Sequence, residues 1–355
     1  MIIYWILLAI PAVMALAYPV HHAYQFPSLA QRIALAGFFA VFVFVATVRE
    51  EIGADWIPYA EMYETARFGG YTELLFYSEP AYALVVWIST VLGTGVYFPN
   101  GVAALLLSIG IYLIAIKTRD PWLTVVIAVP YVMIVVGMGY VRQAAAMGLI
   151  MIAIDALDKR RLLKMSLCLA LAISFQATSA VTLPLFGYAL ANRNKFVILL
   201  TSAASAALLY IVLAPRLESY SEIYLESEYE SGGTLPRLLA IVLPSILILV
   251  RRNFLPFSTR LVDIWILMAL VNIVLLIALY FSPSSTAIDR LSLYFQIIQL
   301  VAFGSIVPLL LLKGRTVFVF RLILVGIAAL IQTVWLVLAS HAQFWVPYQS
   351  LLQYI

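Results

Sequence analysis

Arg142, followed by Gln143, stands at the head of a long apolar run, and a second polar knot, Ser174-Phe175-Gln176-Ala177-Thr178-Ser179, divides two further apolar runs. Arg237 follows Pro236, and Arg290 follows Asp289, each just ahead of another apolar run. An ionised group inside a membrane segment is costly and points to function by default. A helix N-terminus offers free N–H groups and a partial positive charge, and a guanidinium beside it grips phosphate oxygens as a fork. One such arginine is accounted for by anchoring at the interface. Three, two of them beside Gln143 or Asp289, point to an anion site. The carboxylates that could act on a nearby hydroxyl as general base are Asp55 and Glu79, with Asp289 third. Glu79 precedes Pro80, so it equally suits a helix start, where negative charge is favoured. The acid run Glu218 to Glu230 reads as a solvated loop.

The elements that must position these groups are membrane helices. Hydrophobic residues make up 65% of the 355 residues, charged residues 11%, and the mean hydropathy is +1.04. Helices in lipid need that much apolar surface and soluble domains do not. The expected fold is a single all-α polytopic membrane domain over residues 1–355, with outer loops at 49–80 and 215–235. Apolar runs predict segments at Ile2–Tyr18, Ile33–Val48, Ala81–Leu92, Gly101–Ile116, Trp122–Val136, Gln143–Leu157, Leu162–Phe175, Thr178–Leu190, Phe196–Ala214, Pro236–Val250, Val262–Phe281, Leu291–Leu312 and Val317–Ala339. The first lacks a basic leader and a small-residue cleavage site and is read as a retained helix. The single cysteine, Cys168, excludes an intrachain disulfide.

The pI near 9.0 does not indicate nucleic acid. Most of the 21 basic residues fall in short loops on one side, around Lys117, Lys159–Lys164, Arg193–Lys195, Arg251–Arg260 and Lys313–Arg321, while most of the 17 acids fall on the other. That is the positive-inside pattern. It puts Arg142, Arg237, Arg290, Asp55 and Glu79 on the outer side.

Segment lengths refine this picture. Ala81–Leu92 is about 18 Å long against a hydrocarbon core of roughly 30 Å, so it is expected to enter from the outer face and return. The reading is about 12–13 transmembrane helices with one re-entrant segment and both termini outside. Three consecutive short segments, Gln143–Leu157, Leu162–Phe175 and Thr178–Leu190, span only about 20–22 Å each. Their outer ends, Arg142 and Gln176, are expected at the floor of a cavity, where irregular backbone is tolerable. A locally thinned bilayer with Arg142 snorkelling upward is the alternative.

An outward-opening cavity within lipid suits a membrane lipid with a phosphate or pyrophosphate head. Outer aromatics such as Trp56, Tyr59, Tyr63, Trp345 and Tyr348 suit sugar faces but equally an interfacial belt. The three histidines, His21, His22 and His341, form no zinc or thiol-catalysis pattern, and no Gly-rich phosphate loop precedes a Lys-Ser/Thr pair. Neither a metal nor another cofactor is expected.

Several stretches, in order, are similar to the EpsG-like branch of the Wzy polymerases: Asp55 with Tyr59; Glu79-Pro80-Ala81-Tyr82; Val141-Arg142-Gln143-Ala144-Ala145-Ala146; Phe175-Gln176-Ala177-Thr178-Ser179-Ala180; Arg290-Leu291-Ser292-Leu293-Tyr294-Phe295; and Trp345-Val346-Pro347-Tyr348. The resemblance covers residue 50 or so to the end. It implies a membrane bundle like that of GT-C glycosyltransferases, in a bacterial inner membrane, with its site facing the periplasm or cell exterior. It implies transfer of a glycan from polyprenyl (undecaprenyl) pyrophosphate to the acceptor sugar of a second lipid-linked unit, with membrane lipids and a chain-length regulator as partners. Carried onto this chain, Asp55, Glu79, Arg142 and Arg290 become catalytic candidates. Tyr59, Arg142, Gln143, Gln176, Arg290, Tyr294 and Tyr348 become substrate-binding candidates, and the helix-start reading adds Arg237 and Asp289 to them. One departure matters: family members usually have histidine where this chain has Gln176. Glutamine can orient a sugar or phosphate but cannot shuttle a proton at neutral pH. Two other classes compete with this reading. A flippase or exporter of lipid-linked glycan would spread charge through the bundle's depth, and an O-antigen ligase would carry a large outer loop with a functional histidine.

Overall fold

The computed structural model describes residues 1–18, 27–191, 194–213, 233–282, 285–305 and 314–353. The chain is a multi-pass, nearly all-helical membrane protein. Among the described residues six helices are long and apolar enough to cross a membrane: Leu29–Thr47, Tyr97–Ala115, Pro121–Gly139, Thr234–Phe254, Thr259–Phe281 and Thr316–Leu338. Shorter apolar helices lie at Ile2–Ala17, Pro80–Leu92, Leu162–Phe175, Ala177–Ala191 and Lys195–Ala207. The expected loop 215–235, the acid run Glu218 to Glu230, His21, His22, Arg193 and Lys313 fall outside the described residues, apart from 233–235.

The charges sort to two ends. At one end Lys117 sits between Asp155 and Asp158, 2.8 Å from each. At the same end Arg321 lies 2.6 Å from Asp120 and donates to the Tyr18 carbonyl. At the other end lie Arg49, Glu79 and Arg142. The helices Tyr97–Ala115 and Val141–Asp158 run parallel between these ends. They approach so closely at Gly148 that an added Cβ would lie 2.3 Å from the Leu106 carbonyl. Pro80–Leu92 starts beside Arg142, and the turn after it delivers Tyr97 to the Glu50 carboxylate, so both its ends belong to the Arg142 end.

Pro121–Gly139 is the buried centre of the bundle. Pro130 supplies no N–H, and around it the helix widens into a π turn over Val129–Val136. Tyr140 then leaves helical geometry (φ −117°, ψ 68°), and the chain restarts as Val141–Asp158. Arg142 therefore sits in the first turn after a break. With 18 residues that helix is longer than the segment Gln143–Leu157, which corrects one of the three short helices. Leu162–Phe175 remains short at 14 residues. Its successor starts as a 3-10 turn, Ala177–Thr182, before Leu183–Ala191.

Three further expectations change. The loop 49–80 contains a helix, Trp56–Leu74, kinked at Gly70. The segment Leu291–Leu312 is not one helix: Ser285–Ser292 passes through a 3-10 turn at Leu293–Phe295 into Ile297–Ser305. Arg290 accordingly lies in the last turn of a short helix and not at a helix N-terminus. Trp345 is no interfacial aromatic but is fully buried.

The C-terminal tail locks the Arg142 end. Gln349–Ser350 pairs antiparallel with Arg49–Glu50. Gly53 donates its N–H to the Phe344 carbonyl, and an added Cβ there would lie 2.8 Å from the Met138 carbonyl oxygen. At φ +106° it also adopts a conformation that glycine alone reaches cheaply. Trp345 fills the space against Gly139 from the other side. The backbone leading to Asp55 is thus pressed onto the backbone leading to Arg142.

Candidate active site

Glu79 is the residue before helix Pro80–Leu92, yet its side chain does not cap that helix. Its Oε2 takes Nη1 of Arg142 at 2.7 Å, and its Oε1 accepts from the Ala177 N–H at 3.4 Å. One carboxylate therefore ties together three helix starts: its own, that of Val141–Asp158, and the 3-10 turn after Gln176. Glu79 is 7% exposed and the Arg142 side chain 22%. The guanidinium lies 6.0 Å from the centre of the Tyr82 ring. Nε of Arg142 is buried with no hydrogen-bond partner among the described residues.

Arg290 forms the second half. Its Nη1 donates to Oε1 of Gln143 at 3.2 Å, placing it next to Arg142 along the chain. The same nitrogen is 3.7 Å from Asp55, and the guanidinium lies over the Tyr140 ring, 4.3 Å from its centre. Asp55 is the N-cap residue of Trp56–Leu74, but its side chain makes no capping bond. Burial pushes its carboxyl above the ordinary range, with Arg290 and Arg142 pulling it back.

Arg237 meets this cluster through Asp289, at 2.7 Å, the residue that precedes Arg290. Burial also raises the Asp289 carboxyl, and Arg237 opposes it. Asp55, Glu79 and Asp289 thus face Arg142, Arg290 and Arg237, and formal charge is balanced.

The remaining sequence candidates divide. Tyr294 is fully buried and shares a 2.8 Å hydrogen bond with Thr178, fixing the turn after Gln176. Gln176 is half-buried in extended backbone at the end of Leu162–Phe175, and its side chain makes no hydrogen bond among the described residues. Tyr59 is buried and packs against Tyr82, ring centres 5.5 Å apart. Tyr348 is not brought to the arginines: its hydroxyl donates to the Val45 carbonyl and its ring stands edge-on to Tyr4.

Sequence reasoning missed Tyr140 and Tyr82, the rings beneath the two guanidiniums. Their nearness to Arg142 and to Glu79 in the chain was the available signal. It also missed Arg49, which is 1% exposed and bonded to Asn100 at 2.9 Å and to the Ala46 and Ile52 carbonyls. Arg49 holds the backbone that carries Asp55. Among the described residues no group of three or more His, Cys, Asp or Glu side chains could hold a metal ion.

Such a cluster can bind an anion in two guanidiniums and offer a carboxylate to a hydroxyl beside it. Neither the comparison with curated proteins nor that with solved structures returns a match. The model of one protein family, the EpsG family, matches residues 32–350, nearly the whole chain. The chain belongs to the EpsG family, a family of Wzy-like polysaccharide polymerases.

Proposed function

We propose that this chain joins lipid-linked saccharide units at the end of the bundle that carries Arg142, using polyprenyl pyrophosphate as leaving group. In this reading the hydroxyl oxygen of one unit attacks the anomeric carbon of another. The bond from that carbon to the pyrophosphate oxygen breaks, its electron pair leaves on the pyrophosphate, and the hydroxyl proton passes to a carboxylate. The family membership supports the polymerase class. The observation that carries the site is the position of Arg290, which bridges Asp55 and Gln143 beside Arg142. Two guanidiniums and a partly exposed carboxylate share one place.

The two candidate bases differ in what already occupies them. Both oxygens of Glu79 are engaged, by Arg142 and by the Ala177 N–H. Its role is to aim Arg142. Asp55 is more exposed (29%), and its contact with Arg290 is the longest ion pair of the cluster. An arriving pyrophosphate competes for Arg290, and the freed Asp55 then accepts the hydroxyl proton. Charge that develops on the leaving oxygen falls to Arg142 and Arg290, the kind of stabilisation worth about 10²–10³ in rate per donor. Gln176, with its amide unengaged, orients substrate. The charge sorting of the bundle supports this end facing the periplasm or exterior, and membership of the EpsG family is what supports a bacterial inner membrane, undecaprenyl pyrophosphate as the lipid carrier and a chain-length regulator as partner.

The test is to replace Arg142 or Arg290 by alanine in producing cells and resolve the surface polysaccharide by size. Single repeat units without long chains are expected. Unchanged chain length sinks the proposal.

A further inference from the structure

Beside the arginine cluster the same end carries an open groove of about 810 Å³, within the range of ligand pockets. Four carboxylates line it, Glu50, Glu51, Glu61 and Glu64, together with aromatic rings that include Trp56 and Tyr63; among the described residues no basic one does. One face of the helix Trp56–Leu74 forms its wall, with Glu61, Glu64 and Phe68 at helical spacing. The opposite face of that helix buries Tyr59 and Ala66 towards the arginine side. The helix is a partition between the two sites. At its head they are one residue apart, since Asp55 contacts Arg290 and Trp56 lines the groove.

The partners of the four carboxylates narrow the ligand. Glu50 accepts the Tyr97 hydroxyl, and Glu64 lies 3.6 Å from Arg67 on the exposed surface. The Glu51 and Glu61 carboxylates make no hydrogen bond or ion pair among the described residues. Carboxylates only accept, so the groove suits a ligand rich in hydroxyl or ammonium donors. Its rings offer flat apolar faces to sugar C–H faces, and its charge repels phosphate, uronate and anionic headgroups alike.

We infer that this groove is a second carbohydrate-binding site, which holds an uncharged or amino-bearing segment of the acceptor glycan while the arginine cluster handles pyrophosphate. The inference rests on the polymerase reading. The division of labour follows from charge: the pyrophosphate of the donor is drawn to the arginines and excluded from the acidic side, which leaves the groove to the glycan of the acceptor.

The probes are lipid-free oligosaccharides of one, two and four repeat units, cut from the polymer that producing cells make. Their binding to the purified full chain is followed by saturation-transfer NMR. Affinity should rise with length, and Tyr63→Ala with Phe68→Ala should weaken the four-unit probe at least tenfold. Glu61→Gln, at an exposed position that does not support the fold, should weaken it less. Arg142→Ala should leave this binding unchanged. In cells the groove variants should still polymerise but give shorter chains. Binding without length dependence, binding untouched by all groove variants, or binding lost with Arg142→Ala overturns the inference. Long chains made by Arg142→Ala would instead remove the polymerase reading, an outcome scored separately from the oligosaccharide titration.

Discussion

The Glu79 carboxylate meets the Arg142 guanidinium at 2.7 Å, joining the starts of two helices 63 residues apart. Neither group is repaid by water, because Glu79 is almost fully buried and Arg142 mostly so. Removing one partner leaves an uncompensated charge, which in buried pairs costs about 3–5 kcal/mol.

That pair predicts a non-additive double-mutant cycle. Glu79→Ala and Arg142→Ala should each lower the unfolding temperature in detergent, and the double variant should lie well above the sum of the two losses. A coupling energy near zero would mean that the pair does not hold these helix starts together.

Asp55 predicts a pH dependence. A base must be deprotonated, and burial raises the Asp55 carboxyl above the ordinary value of about 3.9, so activity should fall on acidification at a higher pH than for a solvated aspartate. Arg290 lowers that carboxyl. Arg290→Gln should therefore move the acid limb of the residual activity to still higher pH. An acid limb that stays in place would remove Asp55 as the titrating base.

Gln176 separates binding from folding. With no side-chain hydrogen bond to lose, Gln176→Ala should change stability by no more than about 0.5 kcal/mol. The same variant should raise the KM for lipid-linked units, and Gln176→His should restore much of it. Full affinity in the alanine variant would leave this amide without a role at the site.

Sidedness can be read by thiol labelling in a background with Cys168→Ser. A cysteine at Lys164, exposed near the basic end, should resist impermeant reagent added from outside. One at Glu64, exposed near the Arg142 end, should label readily. The reverse pattern would place the site on the cytoplasmic face.

Much of the scaffold was legible because apolar runs and charge sorting are local properties of a membrane chain. Ile2–Ala17 and Leu162–Phe175 fall within a residue of the segments read from hydropathy. Trp56–Leu74 was hidden because its apolar and acidic residues do not form an apolar run, and its burial is decided by the groove and tail around it. Arg290 was misplaced for a related reason: apolarity continues through Leu293–Phe295, but the helix does not. The association of Arg142 with Glu79 depends on contacts across 63 residues, which spacing does not reveal. The role of Trp345, held against Gly139 by the returning tail, lies equally beyond any local pattern.

The central claim is tested most directly with the purified protein in lipid, supplied only with a polyprenyl-pyrophosphate-linked repeat unit. The account predicts two-unit and longer lipid-linked products, with one polyprenyl pyrophosphate released per bond formed. It also predicts a loss of about 10²–10⁴ in rate for Asp55→Asn, the range ascribed to a general base, and a loss of at least 10² for Arg142→Ala. Elongation that demands a nucleotide sugar, or that proceeds at full rate in both variants, would contradict it.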